Sequence, residues 1–252
     1  PLAPTLTAGT PLRGGRAEAA EAGILLLLLA DSPAVDAVLD QLAPLLRPGQ
    51  LVVDMGSSDP ARSRAHAAAL AARGVGWVDA PVSGGPEGAA AGALAIMAGG
   101  EEAHVERATP ALSALGRVTH VGGPGAGHTA KVINQLIVGL TIQAVAEAVA
   151  LAEAAGVAPR LVQRALAGGF ADSKVLQIHG SRMADRAYTP GARVATQLKD
   201  LRQAQALADA AGLRLPHLAD TAGRYARLVE LGHGDLDHSA LHILLDDGRS
   251  RP

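Results

Sequence analysis

Three polar side chains near the start of a long apolar segment could carry acid–base chemistry. Lys131, Asn134 and Gln135 lie at positions i, i+3 and i+4, so a helix would place them on one face. A lysine among apolar neighbours can have its pKa lowered by desolvation, which makes it a proton donor near neutral pH. The same pattern also describes a lysine whose charged end reaches water beside a polar cap. The spacing predicts a candidate catalytic lysine and leaves both interpretations open.

A glycine pair after an apolar run could bind an anion. The turn Ser83-Gly84-Gly85 follows a predicted strand end, which is where open α/β sheets bind ligands. Glycine leaves backbone N–H groups accessible to a carboxylate, although a plain strand-to-helix turn has the same composition. Lys199 beside Asp200 is a weaker signal, because adjacent charged residues usually lie on a solvated face.

Two other patterns are better explained without a ligand. The segment Gly125-Ala126-Gly127-His128-Thr129-Ala130 fits a dinucleotide fingerprint, with Glu147 about twenty residues further on. In a nucleotide-binding unit that acidic residue ends a strand, whereas Glu147 lies inside a helical pattern, so we interpret the glycines as a hinge. His238 and His242 have metal-ligand spacing but no glutamate between them to act as a base. We predict a C-terminal helix there and no metal site.

The elements that must position these residues fall into two groups. From Ile24 to Val121 apolar runs alternate with helical patterns, which predicts a Rossmann-like, doubly wound α/β domain with a parallel sheet. The predicted strands are 24–30, 51–54, 76–80, 94–98 and 117–121, and the predicted helices between them are 34–46, 61–72 and 101–114. One long apolar helix is predicted over 128–155, and helical patterns fill the rest. We therefore divide the chain into an α/β domain, residues 1–122, and an all-α domain, residues 123–252.

Composition and charge exclude several classes of function. The chain has 252 residues, 48% of them hydrophobic, and a formal net charge of −2 without blocks of like charge. Neither nucleic acid nor a membrane surface is therefore an expected partner. Polar residues interrupt the long helix every few positions, which argues against a membrane span. The helix would extend for about 40 Å, longer than a small domain needs, which favours packing against a second subunit. The absence of cysteine excludes disulfides, thiolate metal sites and cysteine nucleophiles, and it agrees with a cytoplasmic location.

Several motifs in one order make the chain similar to the β-hydroxyacid dehydrogenase family. They are Asp54-Met55-Gly56-Ser57-Ser58-Asp59-Pro60, Asp79-Ala80-Pro81-Val82-Ser83-Gly84-Gly85, the segment from Gly92 to Gly100, Gly125-x-Gly127-x-x-x-Lys131-x-x-Asn134, and Lys199-Asp200. The resemblance runs from about Glu18 to Leu245. Further motifs at 134–138, 165–173, 188–191 and 236–241 are similar to those of members that act on short oxo acids.

The resemblance implies an oxidoreductase that uses NAD or NADP on a small hydroxy or oxo acid. The implied roles are catalysis by Lys131 and Asn134, substrate binding by Ser83, Gly84, Gly85 and Gln135, and cofactor binding by Ser57 and Lys199. Lys131 would protonate the carbonyl oxygen as hydride arrives. Some relatives carry the functional asparagine one position later, so either Asn134 or Gln135 could hold the substrate. We expect a homodimer or a homotetramer.

The chain departs from the family pattern at three places. Gly56 and Ser58 stand where serine and isoleucine are more common, and Ala192 stands where phenylalanine is common. Relatives begin with a strand, a glycine-rich loop, a helix and a second strand, and this chain enters the pattern just before the third strand. We therefore expect an incomplete dinucleotide-binding domain, in which the preference for NAD or NADP cannot be predicted. The alternatives are a 3-hydroxyisobutyrate-type dehydrogenase and a non-catalytic dimerisation scaffold.

Overall fold

The computed structural model describes residues 21–246, without the side chain of Asp246. The strands are β1 (Ile24–Leu27), β2 (Leu51–Asp54), β3 (Gly76–Asp79), β4 (Val82–Ser83), β5 (Leu94–Gly100) and β6 (Gly116–Gly122). The helices are α1 (Ser32–Leu42), α2 (Pro60–Ala71), α3 (Gly85–Ala90), α4 (Glu102–Leu112), α5 (Ala126–Ala154), α6 (Pro159–Leu166), α7 (Ser181–Ala184), α8 (Val194–Ala210), α9 (Pro216–Glu230) and α10 (Ile243–Asp246). Short 3₁₀ segments cover Ala43–Leu45 and His238–His242, and a π-helical turn covers Leu176–Gly180. Glu18, where the family resemblance begins, lies outside the described residues.

The sheet confirms the Rossmann-like fold class, with one correction to the strand directions. The strand order is β1-β2-β3-β5-β4, with β6 paired to β5. Strands β1, β2 and β3 are parallel, with Leu27 opposite Asp54 and Asp54 opposite Asp79. Strand β5 is antiparallel to β3, with Asp79 opposite Gly99, so the prediction of an all-parallel sheet was wrong at this strand.

The short connection between β3 and β5 explains this reversal. A parallel neighbour needs a crossover that carries the chain back along the whole strand. The connection contains α3, whose six residues rise only about 9 Å, whereas the seven residues of β5 extend for about 23 Å. The chain therefore turns and runs back beside β3. Neither β4 nor α3 was predicted from the sequence.

The chain forms two compact units. Of the described residues, one unit contains those up to Val82 together with Ala95–His128, and the other contains Ser83–Leu94 and those from Thr129 onwards. The segment Ser83–Leu94 thus belongs with the helices, whereas the division made from the sequence placed it with the sheet. In the first unit, buried apolar side chains from the strands, α1 and α2 form one core: Leu25, Leu27, Val35, Leu39, Leu42, Leu46, Val52, Leu70, Val75 and Trp77.

The second unit is built around α5, which begins two residues before the predicted start. Its core joins α5 to α8, α9 and the C-terminal segment through buried side chains that include Val132, Ile142, Val149, Leu201 and Tyr225. By length and composition α5 could cross a membrane. Its buried residues instead form the core of this helical unit. The same helix carries the candidate catalytic lysine.

Candidate active site

The start of α5 is fixed by a carboxylate from the end of β3. Asp79 accepts hydrogen bonds from the backbone N–H groups of Gly125, at 2.7 Å, and of His128, at 2.8 Å. These N–H groups would otherwise be unsatisfied at a helix N-terminus. Because the carboxylate already occupies them, they are not available to a pyrophosphate. This geometry supports the interpretation of Gly125-Ala126-Gly127 as a hinge.

Glycine is required where α5 crosses the sheet. A Cβ atom on Gly127 would lie 2.3 Å from the carbonyl oxygen of Asp79 and 2.4 Å from that of Met97. A Cβ atom on Gly99 would lie 2.4 Å from the backbone nitrogen of Gly127. Backbone meets backbone at this point, so no side-chain movement could make room. The first turn of α5 is therefore held firmly against β3 and β5.

A buried histidine completes this anchor, and its partners could not be predicted from the sequence. The His128 ring is inaccessible to solvent, with Nε2 3.6 Å from Asp54 Oδ2 and Nδ1 3.8 Å from Asp79 Oδ2. Burial lowers the pKa of His128 against the opposing effect of the two carboxylates, and burial also raises the pKa of Asp79. The charged groups at the ends of β2 and β3 thus meet the first turn of α5.

Lys131 follows within α5, and its surroundings suit a proton donor. Burial lowers its pKa from the ordinary value of 10.5, Asp200 opposes the shift, and the nearby Lys199 adds to it. Lys199 Nζ lies 3.3 Å from Asp200 Oδ1. Asp200 is 2% exposed, so the expectation that this charged pair lies on a solvated face was wrong for the carboxylate.

The two amides beside Lys131 have different surroundings. Gln135 Nε2 donates to Asp200 Oδ2 at 2.7 Å, while Gln135 Oε1 accepts from Asn134 Nδ2 at 2.8 Å. Both ends of the Gln135 amide are thus engaged within the protein. The carbonyl oxygen of the Asn134 side chain takes no part in these two bonds. The geometry therefore favours Asn134 as the amide that contacts a substrate. Gln135 orients the Asn134 side chain through the hydrogen bond between them.

The predicted carboxylate turn adopts a conformation that requires glycine. Gly84 has φ 143° and Gly85 has φ 67°, both in the region that other residues avoid. The two glycines are exposed and separate Ser83, at the end of β4, from the rest of α3. A Cβ atom on Gly84 would lie 3.1 Å from a methyl group of Leu94. The turn leaves its backbone at the surface, as an anion site would need.

In the other compact unit, the carboxyl ends of β1 and β2 form an edge of the sheet where a dinucleotide could bind. Ser57 is partly exposed just after β2, and the preceding carboxylate of Asp54 accepts from the Gly56 N–H at 2.9 Å. Leu28, just after the adjacent strand β1, is 73% exposed. Open α/β sheets bind dinucleotides at this kind of edge. A Cβ atom on Gly56 would lie 2.7 Å from the carbonyl oxygen of Leu29, which explains why this chain has glycine there.

The predicted site residues are thus distributed over both units. The helical unit holds Lys131, Asn134, Gln135, Ser83, Gly84, Gly85 and Lys199, and the sheet unit holds Ser57. Hydrogen bonds and ion pairs connect Gln135 and Lys199 through Asp200, whose part in the site was not predicted. Its proximity to Lys131 depends on the packing of α8 against α5, which local spacing does not reveal.

His238 and His242, for which we predicted no metal site, are both buried and both have protein partners. His242 Nδ1 lies 3.2 Å from the Tyr188 hydroxyl. His238 Nδ1 lies 3.3 Å from Gln197 Oε1, and its Nε2 lies 3.2 Å from His179 Nε2. The two histidines therefore point to different partners and do not converge as an i, i+4 ligand pair would.

Family models of NAD-binding domains match most of the chain. Residues 8–123 match the NAD-binding domain of 6-phosphogluconate dehydrogenase, and residues 125–245 match the NAD-binding domain of NADP-dependent 3-hydroxyisobutyrate dehydrogenase. The chain is 42% identical over 222 residues to 2-hydroxy-3-oxopropionate reductase of Escherichia coli (strain K12), covering 86% of this chain and 76% of the relative.

Solved structures show the same fold. A crystal structure of 3-hydroxyisobutyrate dehydrogenase from Salmonella typhimurium superposes with a TM-score of 0.84 at 33% identity, covering 91% of this chain and 81% of the other. The 3-hydroxyisobutyrate dehydrogenase of Mycobacterium tuberculosis, with L-serine, also gives 0.84, at 30% identity, covering 93% of this chain and 83% of the other. The chain belongs to the β-hydroxyacid dehydrogenase family of NAD(P)-dependent oxidoreductases.

Proposed function

We propose that the protein reduces 2-hydroxy-3-oxopropionate to glycerate with NADH or NADPH. The observation that carries this proposal is Lys131, a half-buried lysine with a lowered pKa beside an oriented amide. The identity to the Escherichia coli reductase supports the choice of substrate. A 3-hydroxyisobutyrate-type activity is the second candidate, favoured by the two structural neighbours that carry that name.

A bound nicotinamide cofactor would supply a hydride to the aldehyde carbon. Negative charge then develops on the carbonyl oxygen, where the Lys131 ammonium stabilises it and delivers a proton. Asn134 holds the substrate beside the lysine, and the turn Ser83-Gly84-Gly85 binds its carboxylate through backbone N–H groups and a hydroxyl. On the family resemblance, Ser57 and Lys199 would hold this cofactor. In the reverse direction the neutral amine of Lys131 removes the proton from the alcohol.

A second copy of the chain is the proposed partner. Several large apolar residues on α5 are exposed, among them Ile137 at 60% and Leu151 at 70%. Leaving them in water is unfavourable, and a homodimer or homotetramer would cover them. We also propose a cytoplasmic location.

Kinetics on matched substrates tests the proposed reaction. We expect kcat/KM for reduction of 2-hydroxy-3-oxopropionate to exceed that for the oxo acid derived from 3-hydroxyisobutyrate, with NADH and NADPH each measured. The opposite order would favour the second candidate. Lys131→Met should lower kcat by at least about a hundredfold, the usual contribution of a positioned acid. The exposed Lys174→Met is the control, and a Lys131→Met enzyme as active as this control would exclude the assignment.

A further inference from the structure

A row of buried polar side chains connects the C-terminal segment to helix α5, which carries Lys131. Asp237 is inaccessible to solvent, and its Oδ1 lies 3.5 Å from His179 Nδ1. His179 Nε2 lies 3.2 Å from His238 Nε2, and His238 Nδ1 lies 3.3 Å from Gln197 Oε1. Gln197, which is 1% exposed, donates from Nε2 to the backbone carbonyl of Gln135 at 3.0 Å. This row of side chains thus ends on the turn of α5 that carries the candidate catalytic residues.

The histidines and Asp237 are close enough to be considered as metal ligands. The carboxylate, however, already accepts from Arg182 Nη1 at 2.6 Å, the Gly191 N–H at 2.9 Å and the Ser239 N–H at 3.0 Å. A guanidinium on the same carboxylate would repel a metal cation, and these donors occupy the oxygen lone pairs. The cluster is better explained as a hydrogen-bonded anchor.

The direction of the hydrogen bonds follows from one fixed end. A backbone carbonyl can only accept, so the NH₂ group of Gln197 must face Gln135 and its Oε1 must face His238. His238 Nδ1 therefore carries the proton, which leaves its Nε2 as the acceptor for the Nε2–H of His179. The hydrogen-bonding roles of Gln197 and His238 are thereby fixed. The hydrogen bonds from His179 through His238 and Gln197 to the Gln135 carbonyl hold these buried groups in one arrangement.

Helix α8 holds Gln135 at two points. Gln197 binds its backbone carbonyl, and Asp200, three residues further along α8, binds its side-chain amide at 2.7 Å. Gly139 makes the first contact possible, because a Cβ atom there would lie 2.8 Å from Gln197 Nε2. Glycine is unfavourable inside a helix, and this close approach accounts for its presence. Lys131 lies one turn before Gln135 on the same face.

We propose that Gln197 is a positioning residue, held by His238 and His179, that fixes Gln135 and thereby sets the placement of Asn134 and Lys131. This positioning role rests on the proposed function in one respect only, namely which reaction Lys131 takes part in. Its chemistry is that of a rigid support: without Gln197, the two-point contact of α8 with Gln135 becomes a single contact through Asp200.

Gly139→Ala and Gln197→Met test this role in two independent ways. The first leaves every polar group in place but displaces the Gln197 amide, and the second removes the amide while keeping the side-chain length. The full chain is used, with Gly223→Ala as control, because Gly223 lies inside helix α9 and a Cβ atom there meets nothing within 4 Å. Both test variants should lower kcat by about tenfold or more with the KM for NAD(P)H unchanged, since misplacing a catalytic group is costly.

A second readout separates positioning from general loss of structure. The chain has only three lysines, Lys131, Lys174 and Lys199, so lysine labelled with ¹³C at Cε gives three assignable signals. Both variants should move the Lys131 titration towards its ordinary value of 10.5, because a loosened helix admits water and weakens desolvation, the main cause of the lowered pKa. The signal of the exposed Lys174 should not change.

The results divide clearly. If the parent protein reduces none of the aldehyde acids, the proposed function fails, and the Lys131 titration alone still decides the positioning role. An unchanged Lys131 titration in both variants would overturn the proposal, as would a kcat of Gly139→Ala equal to that of Gly223→Ala. Because the two substitutions act on one contact, the double variant should be no worse than Gln197→Met alone, and additive losses would also contradict the proposal.

Discussion

Acid should weaken the folded protein through His238, because this ring is held neutral. Burial, then the neighbouring His179, lower the pKa of His238 from its ordinary value of 6.5 to about 4, while Asp237 opposes the shift. Its Nε2 accepts a hydrogen bond from His179, so protonation of His238 would break this bond. The other charged group of the cluster is Arg182, which also disfavours a proton on His238.

The sign and size of the effect follow from linkage. Below pH 6.5 the unfolded chain takes up a proton at His238, and the folded protein does so only near pH 4. The free energy of unfolding therefore falls as the pH drops through this window and is unaffected by this residue above it. The gap between 6.5 and about 4 corresponds to roughly 3 kcal/mol, since each pKa unit is worth about 1.4 kcal/mol. The ring is 6% exposed, so solvent screening reduces this value little.

Urea unfolding between pH 7.5 and 4, followed by circular dichroism, measures the effect. The variant His238→Asn does not titrate, so its stability should decrease less steeply with falling pH than that of the parent, by roughly 3 kcal/mol over the window. His217→Asn, which makes the same substitution at an exposed histidine, is the control. Equal slopes for the parent and His238→Asn would show that the folded protein does not hold this ring neutral.

Three further outcomes are expected. Gly84→Val should chiefly raise the KM for the acid substrate, or abolish turnover, because a φ of 143° does not suit valine and its side chain would meet Leu94; steady-state kinetics with a normal KM would place the carboxylate elsewhere. Gly127→Ala should reduce the free energy of unfolding by about 2 kcal/mol or more, while Gly123→Ala, with nothing within 4 Å of its Cβ position, should unfold like the parent in urea. Leu151→Glu should shift the sedimentation coefficient of the protein towards that of a monomer, and a parent that already sediments as a monomer would contradict the proposed subunit contact.

The main elements could be predicted because their patterns are local. The apolar runs at Leu51–Asp54 and Gly76–Asp79 are strands, within one residue of the prediction, and the long helix was placed within two residues of Ala126–Ala154. Strand β4 has two residues and α3 has six, which is too short for either hydrophobic period to become visible. The direction of β5 depends on that same connection, so the antiparallel pair could not be predicted either.

The grouping of Lys131, Asn134 and Gln135 followed from helical spacing alone, whereas their partners did not. Asp200 and Lys199 were judged by their adjacency in sequence, which gives no information on whether α8 buries one of them. In the fold the carboxylate is buried and is bonded to Gln135, 65 positions away. A buried carboxylate needs a hydrogen-bonding partner such as Gln135. Tertiary packing decides whether Asp200 is solvated or buried, and the sequence does not show that packing.

A glycine inside helix α5 is the local sequence feature that indicates the contact between Gln197 and Gln135. Gly139 weakens α5 relative to alanine by up to about 1 kcal/mol, so its presence suggests that another group comes close to the helix there. The sequence shows this cost and not what compensates for it, because Gln197 and the carbonyl it reaches on Gln135 are 62 positions apart. Several glutamines could have supplied an amide, and only the packing of α8 against α5 selects this one. A glycine that lowers helix propensity about two turns after a candidate catalytic lysine therefore indicates a buried donor on the neighbouring helix.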